Sequence, residues 1–171
     1  VEIMVAEGIL AELNHDNIKN ISNLSELFSD PPYDPGLKHC IPYQWGTTGI
    51  GYNTEVMEEA PDSWAYLFDP VLSGEYAGKF TMLNDSREGI GAALKYLGYS
   101  LNSTDEAQLE EAKQLLIQTK PSVMAFDSEQ YDDLLIADEI VYAHGWSGNF
   151  FTAAVEDERI WYVIPKEGGV V

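Results

Sequence analysis

The chain has 171 residues, enough for about one domain with a core of its own. Hydrophobic residues make up 45% and aromatics 12%, a globular composition rather than a disordered one. Twenty-nine acidic residues against nine basic ones give a formal charge of −20, with no basic patch, which disfavours binding to nucleic acid or anionic lipid.

No stretch reaches the roughly 18–20 consecutive apolar residues of a membrane helix. Val1 opens directly into "VEIMVAEGILAEL", which lacks the basic n-region and cleavage site of a signal peptide. A mature secreted chain reads the same way, so the compartment stays open. Cys40 is the single cysteine, which rules out an internal disulfide. With His15, His39 and His144 scattered, no metal site is expected.

In chain order, "EIMVAEGILAELN" has helical spacing, and a helical turn and short helix end at Pro31-Pro32. "KHCIPYQWGTTGIGYN" reads as an extended, buried strand whose glycines permit close backbone approach, with His39 and Cys40 as strand packing. "PDSWAYLFDP" is a short helix, and "GKFTMLN" is a strand running into a helix opened by Asp85. Thr104 is expected to cap "DEAQLEEAKQLLIQTK". Then come a strand "PSVMAF", a helix "SEQYDDLLIAD", a strand "EIVYAHGW", a helix "SGNFFTAAVED" and a strand "RIWYVIP". This alternation predicts an α/β fold with a largely parallel sheet flanked by helices. Trp45, Trp64 and Trp161 read as core, and Asp127, Asp132 and Asp133 as caps or a solvated face.

Two loops, "LN-DSRE" and "HGW-SGN", each join a strand's carboxyl end to the next helix, the edge where open α/β sheets bind ligands. Asp85 and Glu88 have the spacing of a capping box, so they serve the backbone, a ligand, or both. Trp146 is either a hydrophobic plug or a platform for an aliphatic ammonium. An ammonium needs carboxylates at its charge and an aromatic face at its methylenes, and these loops carry both. There is no phosphate-binding loop, dinucleotide fingerprint or nucleophile elbow, and no cofactor is expected.

"IPYQWGTTGIGYN", "SWAYLFDPVLSGEYAGKFTMLNDSREGIGAALKYLGYSLNSTD", "GWSGN" and "IPKEGG", taken in order, resemble the spermidine/putrescine-binding proteins of bacterial ABC transporters. The resemblance implies the lobe of a periplasmic-binding-protein fold in a two-lobed receptor longer than this chain. Residues 1–43 would belong to the first lobe, 44–164 would form the second, and 165–171 would cross back towards the first. It implies a non-enzymatic receptor, periplasmic or lipid-anchored, that delivers a polyamine to a transporter permease. The family's acidic pair falls on Asp85 and Glu88 and its binding tryptophan on Trp146. Asn149 stands where some putrescine binders have an Asp and spermidine-type members an uncharged residue. A receptor of the same fold for another cation or small organic solute is the alternative. An enzyme using Asp85 and Glu88 as an acid–base pair, or an interaction domain that lost transport, are the remaining readings.

Overall fold

The computed structural model describes residues 1–170, in two compact units, Val1–Trp45 and Gly46 onward. In the first unit the only α-helix is α1 (Glu2–Ala6), followed by single 3-10 turns at His15–Asn17, Ile21–Asn23 and Glu26–Phe28. The helical pattern expected to Leu13 stops early, because Gly8 takes a left-handed φ of 64° and ends the turn. Asp34, 3% exposed, organises the rest. Its Oδ2 accepts the His39 and Cys40 amides at 2.8 and 2.9 Å, and its Oδ1 accepts from His39 Nδ1 at 2.9 Å. Burial works against that charge, but the bonds from His39 and Cys40 hold the carboxyl well below the usual range. These amides are therefore spent on a loop, and the strand expected from Lys38 begins only at Thr48. Trp45, expected in the core, is 65% exposed and leans on Phe28.

The second unit is a five-stranded sheet covered on both faces. Its elements are β1 (Thr48–Asn53), α2 (Ala65–Phe68), α3 (Leu72–Glu75), β2 (Phe80–Met82), α4 (Ser86–Tyr96), α5 (Glu106–Thr119), β3 (Ala125–Phe126), α6 (Tyr131–Ile136), β4 (Tyr142–Trp146), α7 (Ser147–Glu156) and β5 (Ile160–Val163). The strand order is β3-β2-β4-β1-β5. β2 pairs in parallel with β3 and β4, whereas β1 runs antiparallel to both β4 and β5. Four strands thus share one direction and β1 opposes them, so the sheet is mixed.

One face carries a core of Ile50, Trp64, Phe80, Met82, Leu94 and Tyr142 beneath α2, α4 and α5. Phe80 and Tyr142 stack at 4.9 Å, and the buried Tyr142 hydroxyl donates to Tyr66 O at 2.6 Å. The other face packs Tyr131, Leu135, Phe150, Ala153 and Ile160 beneath α6 and α7. α5 is capped by Asp105 rather than Thr104, its Oδ1 accepting the Ala107 and Gln108 amides. Trp161 is 60% exposed, and of the three tryptophans read as core only Trp64 is buried.

Residues 165–170 pack on this unit. Glu167 accepts from Ser63 Oγ at 2.6 Å and Trp64 N at 3.2 Å, and Trp64 Nε1 donates to Gly168 O at 2.9 Å. Val170 then bridges to Thr48 and is buried.

The glycines of "GTTGIG" hold this arrangement. A Cβ on Gly51 would overlap the Phe150 ring, and one on Gly145, paired with Gly49 across the strands, would overlap Tyr131. At Gly51 and Gly145 the close approach is of aromatic rings to bare backbone, whereas a Cβ on Gly49 would meet the Val163 carbonyl of β5 at 2.5 Å, the backbone approach expected within the sheet, as well as the Tyr162 ring. Gly51→Ala is therefore expected to destabilise the fold by about 1–3 kcal/mol through overpacking, read as a lowered melting temperature.

Candidate functional site

Because β2, β3 and β4 are parallel and β1 is opposed, the ends of β2 and β4 lie at the same edge as the start of β1. The Asp85 and Trp146 loops are both there. Asp85, exposed at the N-cap of α4, accepts the Arg87 and Glu88 amides with one oxygen, Oδ1, at 2.8 and 3.1 Å. Oδ2 is left over. The capping box expected of this pair is only half formed, because no bond returns from Glu88 to the Asp85 amide. Instead Glu88 Oε2 is buried and has no hydrogen-bond partner among the described residues. An unsatisfied buried carboxylate oxygen is costly, and in native proteins such groups call for a reason.

The Tyr162 phenol lies within electrostatic reach of Glu88. Tyr162 exchanges a hydrogen bond with Thr47 Oγ1 at 2.8 Å. Burial first, and then the Glu88 carboxylate, push the Tyr162 phenol upward, against the lowering effect of Thr47. Thr47 is tied to the Trp146 loop: Ser147 N donates to Thr47 O at 2.9 Å, and Thr47 N donates to Ser147 Oγ at 3.2 Å. Trp146 is half-buried, and its amide donates to the Tyr131 hydroxyl at 3.1 Å. The Tyr131 ring meets the indole edge-on at 6.3 Å. Burial chiefly pushes the Tyr131 phenol up to about 12. Asn149 is turned towards α6, its Nδ2 donating to Asp132 Oδ2 at 3.2 Å.

Asp85, Glu88 and Trp146 thus share one edge, with Thr47, Tyr131 and Tyr162 among them. Sequence reasoning missed these three, and only the Tyr-rich composition hinted at them. Asp127 caps locally, accepting the Glu129 and Gln130 amides, as one of its expected roles.

A cavity of about 610 Å³ lies nearby, between α4 and α5, lined by Leu83, Asp85, Ile90, Leu116, Ile117 and Phe126. It is apolar with Lys113 and Lys120 also in its wall, and so is unsuited to a cation. Among the described residues no group of three His, Cys, Asp or Glu could hold a metal ion, and no helix is long and apolar enough to cross a membrane.

The family model for bacterial extracellular solute-binding proteins matches residues 1–171. The chain belongs to this family. Among its solute-binding relatives, the putrescine/cadaverine-binding protein of Pseudomonas aeruginosa is 33% identical, covering 100% of this chain and 51% of the relative. The spermidine/putrescine-binding periplasmic protein of Escherichia coli is 35% identical, covering 99% and 48%. The crystal structure of a spermidine/putrescine ABC transporter substrate-binding protein from Streptococcus pneumoniae superposes with a TM-score of 0.79 at 33% identity, over 98% of this chain and 51% of that one. A lipoprotein of Treponema pallidum gives 0.83 at 29% identity, over 98% and 52%. The chain spans about half the length of the curated relatives it matches.

Behind this edge lies His144, fully buried in β4. Its Nδ1 faces the Leu83 amide at 3.4 Å, which leaves Nε2 as the protonated nitrogen, without a partner. Burial lowers its pKa from 6.5 to about 3, opposed only by the Asp85 carboxylate. The unfolded chain therefore takes up this proton below pH 6.5 while the folded one does not. Stability from this residue is full above pH 6.5 and falls as pH drops towards 3, at a slope of up to about 1.4 kcal/mol per pH unit. Denaturant melts of His144→Gln between pH 4 and 7 should show a flatter pH dependence than the wild type; an identical slope would mean His144 titrates normally.

Proposed function

We propose that the protein carrying this chain is an extracytoplasmic receptor that binds a polyamine and hands it to the permease of an ABC transporter. In this reading residues 1–43 belong to a first lobe, 44–164 form the second, and 165–171 lead back towards the first. The observation that carries it is the buried Oε2 of Glu88, without a partner among the described residues, within electrostatic reach of Tyr162 and at the same edge of the sheet as the Trp146 loop. An ammonium would supply the missing partner through a charge-assisted bond, roughly twice as strong as a neutral one. Asp85 would contribute Oδ2 while its Oδ1 keeps capping α4. Trp146 would cover the ligand's methylenes, with cation–π attraction of about 0.5–2 kcal/mol at its charged end. The names of the relatives support the ligand class. In this reading the carboxylates act by holding charge.

Titration calorimetry of spermidine and putrescine into the full-length protein tests this. Glu88→Gln should weaken binding at least tenfold, about 1.4 kcal/mol. The unliganded variant should be no less stable than the wild type, since it removes an unpaired buried charge. Equal affinity in the variant would remove Glu88 from the site, and no saturable heat from the wild type would reject the polyamine reading.

A further inference from the structure

Resting on the polyamine reading, we infer that Asp132 is a third carboxylate of the site, delivered from the opposite layer of the sheet and held for the ligand by Asn149. Asp85 and Glu88 come from the start of α4, which packs on one face. Asp132 lies in the first turn of α6, on the other face, immediately after the buried Tyr131. Tyr131 accepts the Trp146 amide and meets the Trp146 ring, so the first turn of α6 is anchored at the indole. Asn149 lies in the first turn of α7, three residues after Trp146, and donates its amide to Asp132 Oδ2. Both side chains are half-buried.

Asn149 thus directs a charge without supplying one. An amide donor on Oδ2 orients the carboxylate, and Oδ1 has no hydrogen-bond donor among the described residues. Carboxylates then stand in both helical layers that flank the Trp146 strand, Asp85 and Glu88 at the start of α4 and Asp132 at the start of α6. A molecule cationic at one end needs only one of these. A diamine or triamine lying across Trp146 carries ammonium groups at both ends of an apolar chain, and this arrangement meets both. The ligand class that uses every group is an α,ω-diammonium compound, with the end near Tyr131 taken by Asp132. A purely structural Asp132–Asn149 bond, tying α6 to α7, would serve stability and be indifferent to ligand charge.

The test is calorimetric titration of putrescine and spermidine into the full-length protein and its variants, with thermal melts of each unliganded form. Asp132→Asn is expected to weaken both polyamines at least tenfold with an unchanged unliganded melting temperature. Asn149→Ala is expected to weaken them less, and Asp132→Asn combined with Asn149→Ala no more than Asp132→Asn alone, because Asn149 acts through the carboxylate. Should Asp132→Asn fold poorly, Asp132→Glu keeps the charge and is expected to bind more tightly than an Asp132→Ala variant. Wild-type affinity in Asp132→Asn, with Glu88→Gln impaired, would overturn this assignment and leave the receptor reading standing. A wild type that binds neither polyamine would overturn both.

Discussion

The contact on which the second unit depends is aromatic rings lying on strands without side chains. Gly49 and Gly51 in β1 and Gly145 in β4 leave room on one face for Tyr162, Phe150 and Tyr131. Those three rings connect β5, α7 and α6 in one cluster, with Phe150 against both tyrosines at 5.3 and 5.7 Å. Each edge-to-face or offset pair adds about 0.5–1.5 kcal/mol beyond its burial. More consequential is where the outer ends of these rings point. The Tyr131 hydroxyl meets the Trp146 amide, and the Tyr162 hydroxyl meets Thr47. The packing that closes the core therefore also places the polar groups at the edge proposed for the ligand, so a change at a glycine would be felt there.

The acidic pair on α4 shows how one motif divides its work. A helix start leaves free amides, and a carboxylate at the N-cap satisfies them. Asp85 does so with a single oxygen for two amides, while Glu88 makes no reciprocal bond to the Asp85 amide. Glu88 is left partly buried with Oε2 unsatisfied. Such a group costs stability, and in the proposed receptor a bound cation would offset that cost, the exchange of stability for function expected at a binding site.

Much of this was legible in the sequence wherever the determinants were local. Asp85 capping α4, Asp127 capping the turn before α6, and the strand-to-helix alternation all rest on neighbours a few residues apart. The family resemblance pointed to Glu88 and Trp146 as ligand residues, a role that spacing alone left open. What the sequence hid depends on contacts between distant segments. Thr47 and Tyr162 are 115 residues apart, and Asn53 meets Asp138 across 85. The strand expected at Lys38 failed because the buried Asp34 takes the His39 and Cys40 amides, a competition invisible to a propensity reading. Asp132 was read as solvated or a cap because nothing in "QYDDLLIAD" reveals that Asn149 of another helix donates to it. The reversed direction of β1 was hidden for the same reason: a buried strand reads alike either way along the chain.

Charge beyond the site fits the same chemistry. A formal charge of −20 on 171 residues, with acids along the whole length, produces a negative field reaching past any single pair. Such a field raises the local concentration of polycations and speeds their encounter, with an effect that shrinks as salt shortens the screening length to about 8 Å at physiological ionic strength. It cannot choose among cations, because magnesium or potassium respond to it as well. Choice has to come from short-range geometry: an indole that favours methylenes, a carboxylate oxygen too dry for a strongly hydrated ion to satisfy cheaply, and amide-held oxygens at fixed positions. The field gathers cations of every kind, and in the proposed receptor the task of telling an organic ammonium from a metal ion falls to the edge that carries Glu88 and Trp146.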